Sequence, residues 1–213
     1  MLVDVQQLDR FLGEIFAKAP CRVSVKTRLG MEEPEEFGPI LEVYNKYPLS
    51  ELIIHPRVRQ DFYRHPVRWE AFDRAVHLSK NPVSYNGGLV TAQDVASCAE
   101  AYPQVKAIML GQGLVSDLSL AGKVKAGTSL DQAAVKEFHD RLLQAYVVQF
   151  ESQPNAMRRM KELWVYLIHS FADSERHGKK IMKAKHMEDY KLAVEAVFRE
   201  LCLLENSTGG WQH

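Results

Sequence analysis

Cysteine is scarce in this sequence, and its three copies exclude two classes of site. Cys21, Cys98 and Cys202 form no Cys-x-x-Cys pair and none of the spacings that bind zinc. An odd and sparse set also argues against a disulfide framework and favours a reducing compartment. We expect no metal site, and we expect all three thiols to pack as small buried apolar groups.

Long apolar runs and an excess of one charge are also lacking. No run approaches the length of a membrane-spanning helix, and no basic segment followed by an apolar core opens the chain. These absences predict no signal peptide, no membrane contact and a cytoplasmic location. The 27 Lys and Arg residues balance the 27 Asp and Glu residues. A balanced total does not exclude nucleic acid, because binding depends on where the charges cluster.

Short apolar runs alternate with amphipathic segments in the first part of the chain. The pattern predicts helices over residues 7–18, 35–47, 68–79 and 92–101, and strands over 21–27, 51–55, 83–85 and 107–110. Thr91, with Asp94 three residues later, is typical of a helix N-cap. Alternation of this kind indicates parallel βα units. We therefore predict an α/β domain over residues 1–122.

The remainder of the chain shows no further strand. Amphipathic helices are predicted over residues 131–152, 155–171 and 187–204, with a basic segment over 174–185. The apolar face assigned to the last helix comprises Met187, Tyr190, Leu192, Ala193, Val197, Leu201 and Leu204. The pattern predicts an all-α domain over residues 123–213.

Each predicted strand ends in polar or glycine residues. These are Lys26 and Arg28, then His55 and Arg57, then residues 86–88, and finally residues 111–113. The active site of a β/α barrel is built at the carboxyl ends of its strands, so four such ends predict one site. The residues alone leave alternatives open: a solvated strand end for Lys26 and Arg28, a structural histidine at position 55, and ordinary turns at the glycines.

Four of these segments, in their order and spacing, resemble the tRNA-dihydrouridine synthases. They are residues 23–30 (VSVKTRLG), 52–57 (LIIHPR), 82–88 (PVSYNGG) and 107–113 (AIMLGQG), and residues 158–164 (RRMKELW) resemble the helical domain of that family. The resemblance implies the second half of a TIM-type β/α barrel, with four parallel strands, followed by an all-α helical domain that binds tRNA. It also implies FMN as cofactor, NAD(P)H as reductant, and reduction of uridine to 5,6-dihydrouridine in tRNA.

The resemblance further implies which residues bind FMN. Lys26 matches the lysine at the flavin ring, and His55 matches a histidine near flavin and phosphate. The full set is Lys26, Arg28, His55, Asn86, Gly87, Gly88, Gly111, Gln112 and Gly113. Three positions depart from the family: Pro56 replaces a glycine, Gly88 an acidic residue and Gln112 an arginine. The last departure removes a charge-assisted contact to phosphate.

Residues 176–186 are basic and contain no acid. Clustered Lys and Arg on a helical domain suit a phosphate backbone, although a solvated helix face has the same composition. Together with the resemblance, this cluster predicts tRNA contacts from Arg158, Arg159, Lys161, Arg176, Lys179, Lys180, Lys183 and Lys185.

Part of the family pattern has no counterpart in the chain. The first half of that barrel carries a Pro-Met motif under the flavin, a flavin-contacting Gln and the cysteine that protonates the uracil ring, so no catalytic residue is expected here. Four parallel strands also leave two unpaired edges, which predicts that another chain or a second copy completes the barrel, or that the chain is a fragment whose fold is marginal. A truncated gene or a split product is the leading explanation. A non-catalytic tRNA-binding fragment or subunit is the alternative function. A different FMN barrel, such as a dihydroorotate dehydrogenase-like enzyme, is a weaker one.

Overall fold

The computed structural model describes residues 4–208 of the chain. They form two compact units. The sheet unit comprises residues 4–89 and 96–111, and the helical unit comprises residues 90–95 and 112–208. The boundary predicted between residues 122 and 123 falls inside a helix, Leu120–Ala126. The assignment of FMN to one domain and tRNA to the other stays a prediction.

Strands and helices alternate from residue 4 to residue 111, which confirms the predicted α/β pattern. In chain order the elements are α1 (Val5–Lys18), β1 (Ser24–Arg28), a short 3-10 helix (Pro34–Glu36), α2 (Phe37–Tyr44), β2 (Glu51–His55), a second 3-10 helix (Arg59–Asp61), α3 (Trp69–Leu78), β3 (Val83–Asn86), α4 (Ala92–Ala101) and β4 (Ala107–Met109). The four strands are parallel, in the order β1-β2-β3-β4. Closure into a barrel stays a prediction.

One face of the sheet is covered by helices. Thr27 pairs with Ile54 and Ile54 with Tyr85, so their side chains share this face. The Tyr44 hydroxyl of α2 donates to Thr27 Oγ1 at 3.2 Å. The Phe72 ring of α3 meets Tyr85 edge-on, with the centroids 4.9 Å apart. The β-branched and aromatic residues of the strands therefore build the core of the sheet unit.

The opposite face carries the polar residues of the strands. Lys26 pairs with Ile53, Ile53 with Ser84, and Ser84 with Ala107, which makes one row across all four strands. Lys26 and Ala107 are exposed at the two ends of this row, while Ile53 and Ser84 are buried at its centre. We call this side the polar face of the sheet.

The helical unit contains α5 (Gln112–Ser116), α6 (Leu120–Ala126), α7 (Gln132–Phe150), α8 (Gln153–Leu167), a 3-10 helix (Ile168–Ser170), α9 (Glu175–Lys183) and α10 (Met187–Glu200). Asp131 caps α7 and Ser152 caps α8, each through its side-chain oxygen. Trp164, Met160 and Tyr190 are fully buried in the core of the unit. None of the helices within residues 4–208 has the length and apolar character needed to cross a membrane.

Two predictions about apolar residues are wrong. Leu192 is 71% exposed, because it lies two positions after the buried Tyr190 and so faces away from the core side of α10. Cys21 and Cys202 are exposed rather than buried, since Cys21 precedes β1 and Cys202 follows α10. Cys98 is buried in α4, as expected.

Candidate functional site

The carboxyl ends of β1, β2 and β3 bring polar side chains to one side of the sheet. Arg28 pairs with His55 across β1 and β2, and Lys26 lies two residues before Arg28 on the same face. Asn86 ends β3, two residues after Ser84 of the same polar face. The sheet unit thus places Lys26, Arg28, His55 and Asn86 on the polar face.

His55 lies buried against a glycine. Gly87 has a φ of +135°, and a Cβ there would stand 2.7 Å from Cδ2 and 3.0 Å from Nε2 of His55. Only glycine adopts this backbone readily and leaves room for the ring. Gly88 follows with a φ of +66°, so the chain turns sharply behind β3. The turn predicted at residues 86–88 therefore packs on His55.

Arg57 determines which ring nitrogen of His55 carries the proton. Its Nη1 lies 3.0 Å from His55 Nε2, and its Nε donates to the His65 carbonyl at 2.6 Å. A guanidinium only donates, so Nε2 accepts and the neutral ring carries its proton on Nδ1. Burial, together with the charges of Arg28, Arg57 and Lys26, lowers the pKa of His55 to about 3. His55 is therefore a neutral hydrogen-bond donor at physiological pH.

Lys26 is a cation without a counter-charge. Among residues 4–208 its ammonium forms no ion pair and no hydrogen bond, and its side chain is exposed on the polar face. Its pKa lies below the ordinary value because surrounding protein displaces water and because Arg28 adds a like charge. An anionic or electron-rich ligand would relieve both effects.

Arg28 is engaged with the segment that follows β2. Its Nη1 donates to the Val58 carbonyl at 2.8 Å and its Nη2 to the Phe62 carbonyl at 3.2 Å. Its guanidinium also lies over the Tyr63 ring, 5.3 Å from the centroid. Arg28 therefore holds this segment in place beside the site.

A buried ion pair holds the same segment from its other side. Asp61 is 4% exposed, and its carboxylate accepts the Val58 N–H at 2.8 Å and both Arg68 Nη groups. Burial alone would raise the pKa of Asp61, but the hydrogen bonds from Arg68 and from the backbone hold it below its ordinary value. The segment between β2 and α3 is thus an ordered loop.

The remaining predicted cofactor residues lie at the end of β3 and beyond β4. Asn86 Nδ2 donates to the Met109 carbonyl at 2.8 Å, which ties β3 to β4. Gly111 follows β4 and has open space where a Cβ would stand. Residues 111–113 are not a simple glycine turn, because Gln112 and Gly113 open α5 in the helical unit. There Gln112 Nε2 donates to the Tyr166 hydroxyl at 3.2 Å.

The predicted RNA-binding residues of the helical unit differ in how they are engaged. Lys161 donates to the Met182 and Ala184 carbonyls at the end of α9, Arg159 pairs with Glu162, and Lys179 pairs with Glu175. The other five are exposed and form no ion pair within residues 4–208: Arg158, Arg176, Lys180, Lys183 and Lys185. Arg176, Lys180 and Lys183 follow each other at spacings of four and three, so they form one stripe along α9.

Sequence reasoning identified Arg57 only as a polar strand end and missed Tyr63 and Asp61. Arg57 orients His55, Tyr63 lies under Arg28, and Asp61 anchors the loop. A basic residue two positions after His55 was the available signal for Arg57. No local pattern marks Tyr63 or Asp61, because the side chains that they contact, Arg28 and Arg68, are not adjacent to them in the sequence.

Residues 1–202 match the family described as dihydrouridine synthase (Dus). A tRNA-dihydrouridine(16) synthase of Pseudomonas putida is 26% identical over 181 residues, which is 82% of this chain and 56% of that protein. One from Yersinia pestis is 26% identical over 183 residues, covering 83% of this chain and 57% of that protein.

A third relative, the tRNA-dihydrouridine(16) synthase of Ralstonia nicotianae, is 29% identical over 127 residues, which is 59% of this chain and 39% of that protein. The chain thus spans about half the length of the curated relatives that it matches. The family match covers nearly the whole chain and includes every strand of the sheet and every residue of the site. This chain belongs to the dihydrouridine synthase family.

Proposed function

We propose that this chain is the FMN-binding and tRNA-binding part of an enzyme that reduces uridine to 5,6-dihydrouridine in tRNA, with NAD(P)H as reductant and the cytoplasm as its location. The observation that carries the proposal is the placement of unpaired Lys26 on the same face as neutral His55, which is packed against Gly87. Family membership and the names of the relatives support it.

The residues present fit a flavin mononucleotide. Lys26 offers an uncompensated positive charge, which suits the electron-rich edge of a flavin ring. His55 offers one N–H donor, at Nδ1, because Arg57 already engages Nε2. The turn at Gly87 and Gly88 lacks side chains, so backbone N–H groups can approach a phosphate there. At Gly111 nothing lies within 4 Å of the position that a Cβ would take, so a ligand can also approach the backbone there.

FMN, when bound, supplies hydride transfer, and the protein supplies binding and electrostatics. Lys26 would stabilise negative charge on the ligand, since no carboxylate within residues 4–208 pairs with its ammonium. His55 keeps its Nδ1 proton and donates it as a hydrogen bond, because burial and the cations around the ring keep its pKa low and prevent a second protonation. Arg57 keeps the ring in this tautomer.

The acid that protonates the uracil ring does not come from Cys98. Burial raises the pKa of this thiol to about 11, so Cys98 packs as an apolar group. We propose that a cysteine outside this sequence supplies the proton. The longer relatives support this, as do the outer edges of β1 and β4, which pair with no strand within residues 4–208. A second copy or another chain would complete the barrel.

A non-catalytic tRNA-binding subunit is the second candidate. The stripe of Arg176, Lys180 and Lys183 on α9 is the observation that favours it, because this stripe needs no flavin to bind phosphates. Replacing Lys180, Lys183 and Lys185 with Gln should weaken tRNA binding. The slope of the logarithm of the binding constant against the logarithm of the salt concentration should become shallower by about one per lost phosphate contact. Lys191→Gln, an exposed lysine of α10, is the control. An unchanged slope would show that the stripe is only solvated.

Flavin retention tests the enzyme proposal. The chain is incubated with FMN, desalted, and its visible absorption is recorded for the wild type and for Lys26→Ala, Lys26→Arg and Lys18→Ala. We expect wild type and Lys18→Ala to retain flavin, Lys26→Ala to lose most of it, and Lys26→Arg to lie between them. Equal retention by all four proteins would remove Lys26 from the site. A colourless wild type would leave tRNA binding as the function of this chain.

A further inference from the structure

The loop between β2 and α3 exposes an aromatic ring that the FMN site does not use. The Phe62 side chain is 63% exposed, although phenylalanine is usually buried. A single exposed apolar side chain is ordinary on a protein surface. Phe62, however, also has a φ of 48° and a ψ of −106°, a strained backbone for a bulky residue. Exposure combined with strain calls for an explanation.

The structure holds Phe62 in this conformation from both sides. Its N–H donates to the Arg59 carbonyl at 3.2 Å, and its carbonyl accepts from Arg28 Nη2, also at 3.2 Å. Next to it, the Arg64 N–H donates to the Asp61 carbonyl at 2.9 Å, and Asp61 is itself paired with Arg68. The ring is therefore presented on an ordered loop, so little conformational freedom remains to be lost on binding.

Basic residues flank Phe62 within the loop. Arg59 and Arg64 are exposed, and neither forms an ion pair within residues 4–208. The one acid between them, Asp61, is buried and neutralised by Arg68. A loop that carries an exposed ring and two unpaired guanidinium groups matches the way in which proteins hold unpaired nucleotides, by base stacking with phosphate contacts.

We infer that residues 59–64 form a second RNA-contacting surface, in which an unpaired base stacks on Phe62 while Arg59 and Arg64 contact the adjacent phosphates. This inference rests on the proposed tRNA substrate and adds a contact in the sheet unit, separate from the basic stripe of α9. It further implies preference for a tRNA region with an unstacked base, because a paired base has no free face for the ring.

The experiment measures binding of the full chain to an unmodified tRNA transcript and to a blunt RNA duplex. The variants are Phe62→Ala, Phe62→Leu, Phe62→Tyr and Phe62→Asn, the last because asparagine tolerates a positive φ. Phe11→Ala is the matched control, since Phe11 is 42% exposed on α1. Thermal unfolding of each variant checks that the fold is kept.

We expect Ala, Leu and Asn at position 62 to weaken tRNA binding about 5-fold to 150-fold, the range for loss of one stacked base. Tyr should keep the wild-type affinity, and duplex binding should be the same for all variants. If either Phe62→Asn or Phe62→Leu bound tRNA with wild-type affinity, base stacking on Phe62 would be ruled out. A loss of self-association in the Phe62 variants, with tRNA binding unchanged, would identify a protein contact instead.

Failure of the proposed function gives a different result. If the wild-type chain binds neither tRNA nor duplex, the tRNA substrate is wrong and this inference falls with it. If the wild type binds tRNA and only the α9 variants weaken it, the function stands and the Phe62 surface is wrong.

Discussion

Gly87 lies so close to the His55 imidazole that a Cβ at this position would stand 2.7 Å from the ring carbon Cδ2. Two features therefore require glycine at position 87: its φ of +135°, and the lack of room for a Cβ beside the His55 ring. Since His55 is neutral and held by Arg57, any shift of the ring would also disturb the Nδ1 donor that the site presents.

Gly87→Ala should therefore damage both stability and flavin binding. We expect the free energy of unfolding to fall by about 1–3 kcal/mol, because alanine at this φ is strained and its methyl group displaces His55. Denaturant unfolding and flavin retention measure the two effects. The control is Gly38→Ala in α2, where nothing lies within 4 Å of the added methyl group. If Gly87→Ala retained wild-type stability, the close approach of Gly87 and His55 would be wrong.

Asp61→Asn should loosen the loop after β2. The buried carboxylate accepts three hydrogen bonds, from Val58 and Arg68, and an amide cannot accept all of them or balance the guanidinium. We expect a loss of about 2 kcal/mol or more at pH 7, measured by denaturant unfolding. Asp73→Asn, at an exposed position of α3, is the control.

The difference in unfolding free energy between wild type and Asp61→Asn should also depend on pH. The pKa of Asp61 in the folded chain lies below its ordinary value of 3.8, so its contribution is present above that pH and is lost as the pH falls through the folded pKa. The difference in unfolding free energy between wild type and Asp61→Asn should therefore shrink below about pH 4. A constant difference down to pH 2 would show that the carboxylate is not stabilised by its partners.

The fold was predictable where hydrophobic periodicity dominates. β2 and α4 have the predicted bounds, because a β-branched run and a capped amphipathic helix are local signals. α5 and α6 were missed because helices of five and seven residues give too few turns for a period to show. Leu192 was assigned to the apolar face of α10 because its side chain is apolar. It lies two residues after the buried Tyr190, however, and therefore points away from the core.

The site was predictable as a set of strand ends but not as a set of contacts. Parallel strands bring Lys26, His55 and Asn86 to one face, which alternation alone predicts. Which donors remain free depends on tertiary partners. Arg28 donates to the Val58 and Phe62 carbonyls, whereas Lys26 has no partner in the described part of the chain, and nothing in the sequence distinguishes the two.

Lys161 is expected to act on stability more than on tRNA. Its ammonium donates to the Met182 and Ala184 carbonyls, so it satisfies the carboxyl end of α9, where a positive charge is favoured. Lys161→Met should lower the free energy of unfolding by about 1 kcal/mol. Lys185→Met, at an exposed and unpaired lysine, should leave stability unchanged. If the two variants had the same free energy of unfolding, Lys161 would not cap α9.

His139 lies at the centre of a polar network in the helical core. Trp164 Nε1 donates to the Tyr190 hydroxyl oxygen at 3.0 Å, and the Tyr190 hydroxyl lies 2.8 Å from His139 Nε2. His139 Nδ1 lies 2.9 Å from the Asp140 carboxylate, which can only accept a hydrogen bond. The neutral ring is therefore protonated on Nδ1 and accepts from Tyr190 at Nε2. Burial lowers the pKa of His139, although Asp140 opposes this effect.

The helical unit should accordingly lose stability in acid through His139. Because its folded pKa lies below the ordinary value of 6.5, the unfolded chain binds the proton first, and the contribution of the neutral ring is lost as the pH falls below about 6.5. Unfolding free energies of wild type and His139→Gln, measured from pH 8 to pH 5, test this. At pH 8 the variant should be about 1–3 kcal/mol less stable, since the Tyr190 hydroxyl loses its acceptor in the buried core. This gap should narrow towards pH 5, where only the wild type takes up the extra proton on unfolding. A gap that widens in acid would mean that Asp140 outweighs burial and that His139 is charged in the folded core.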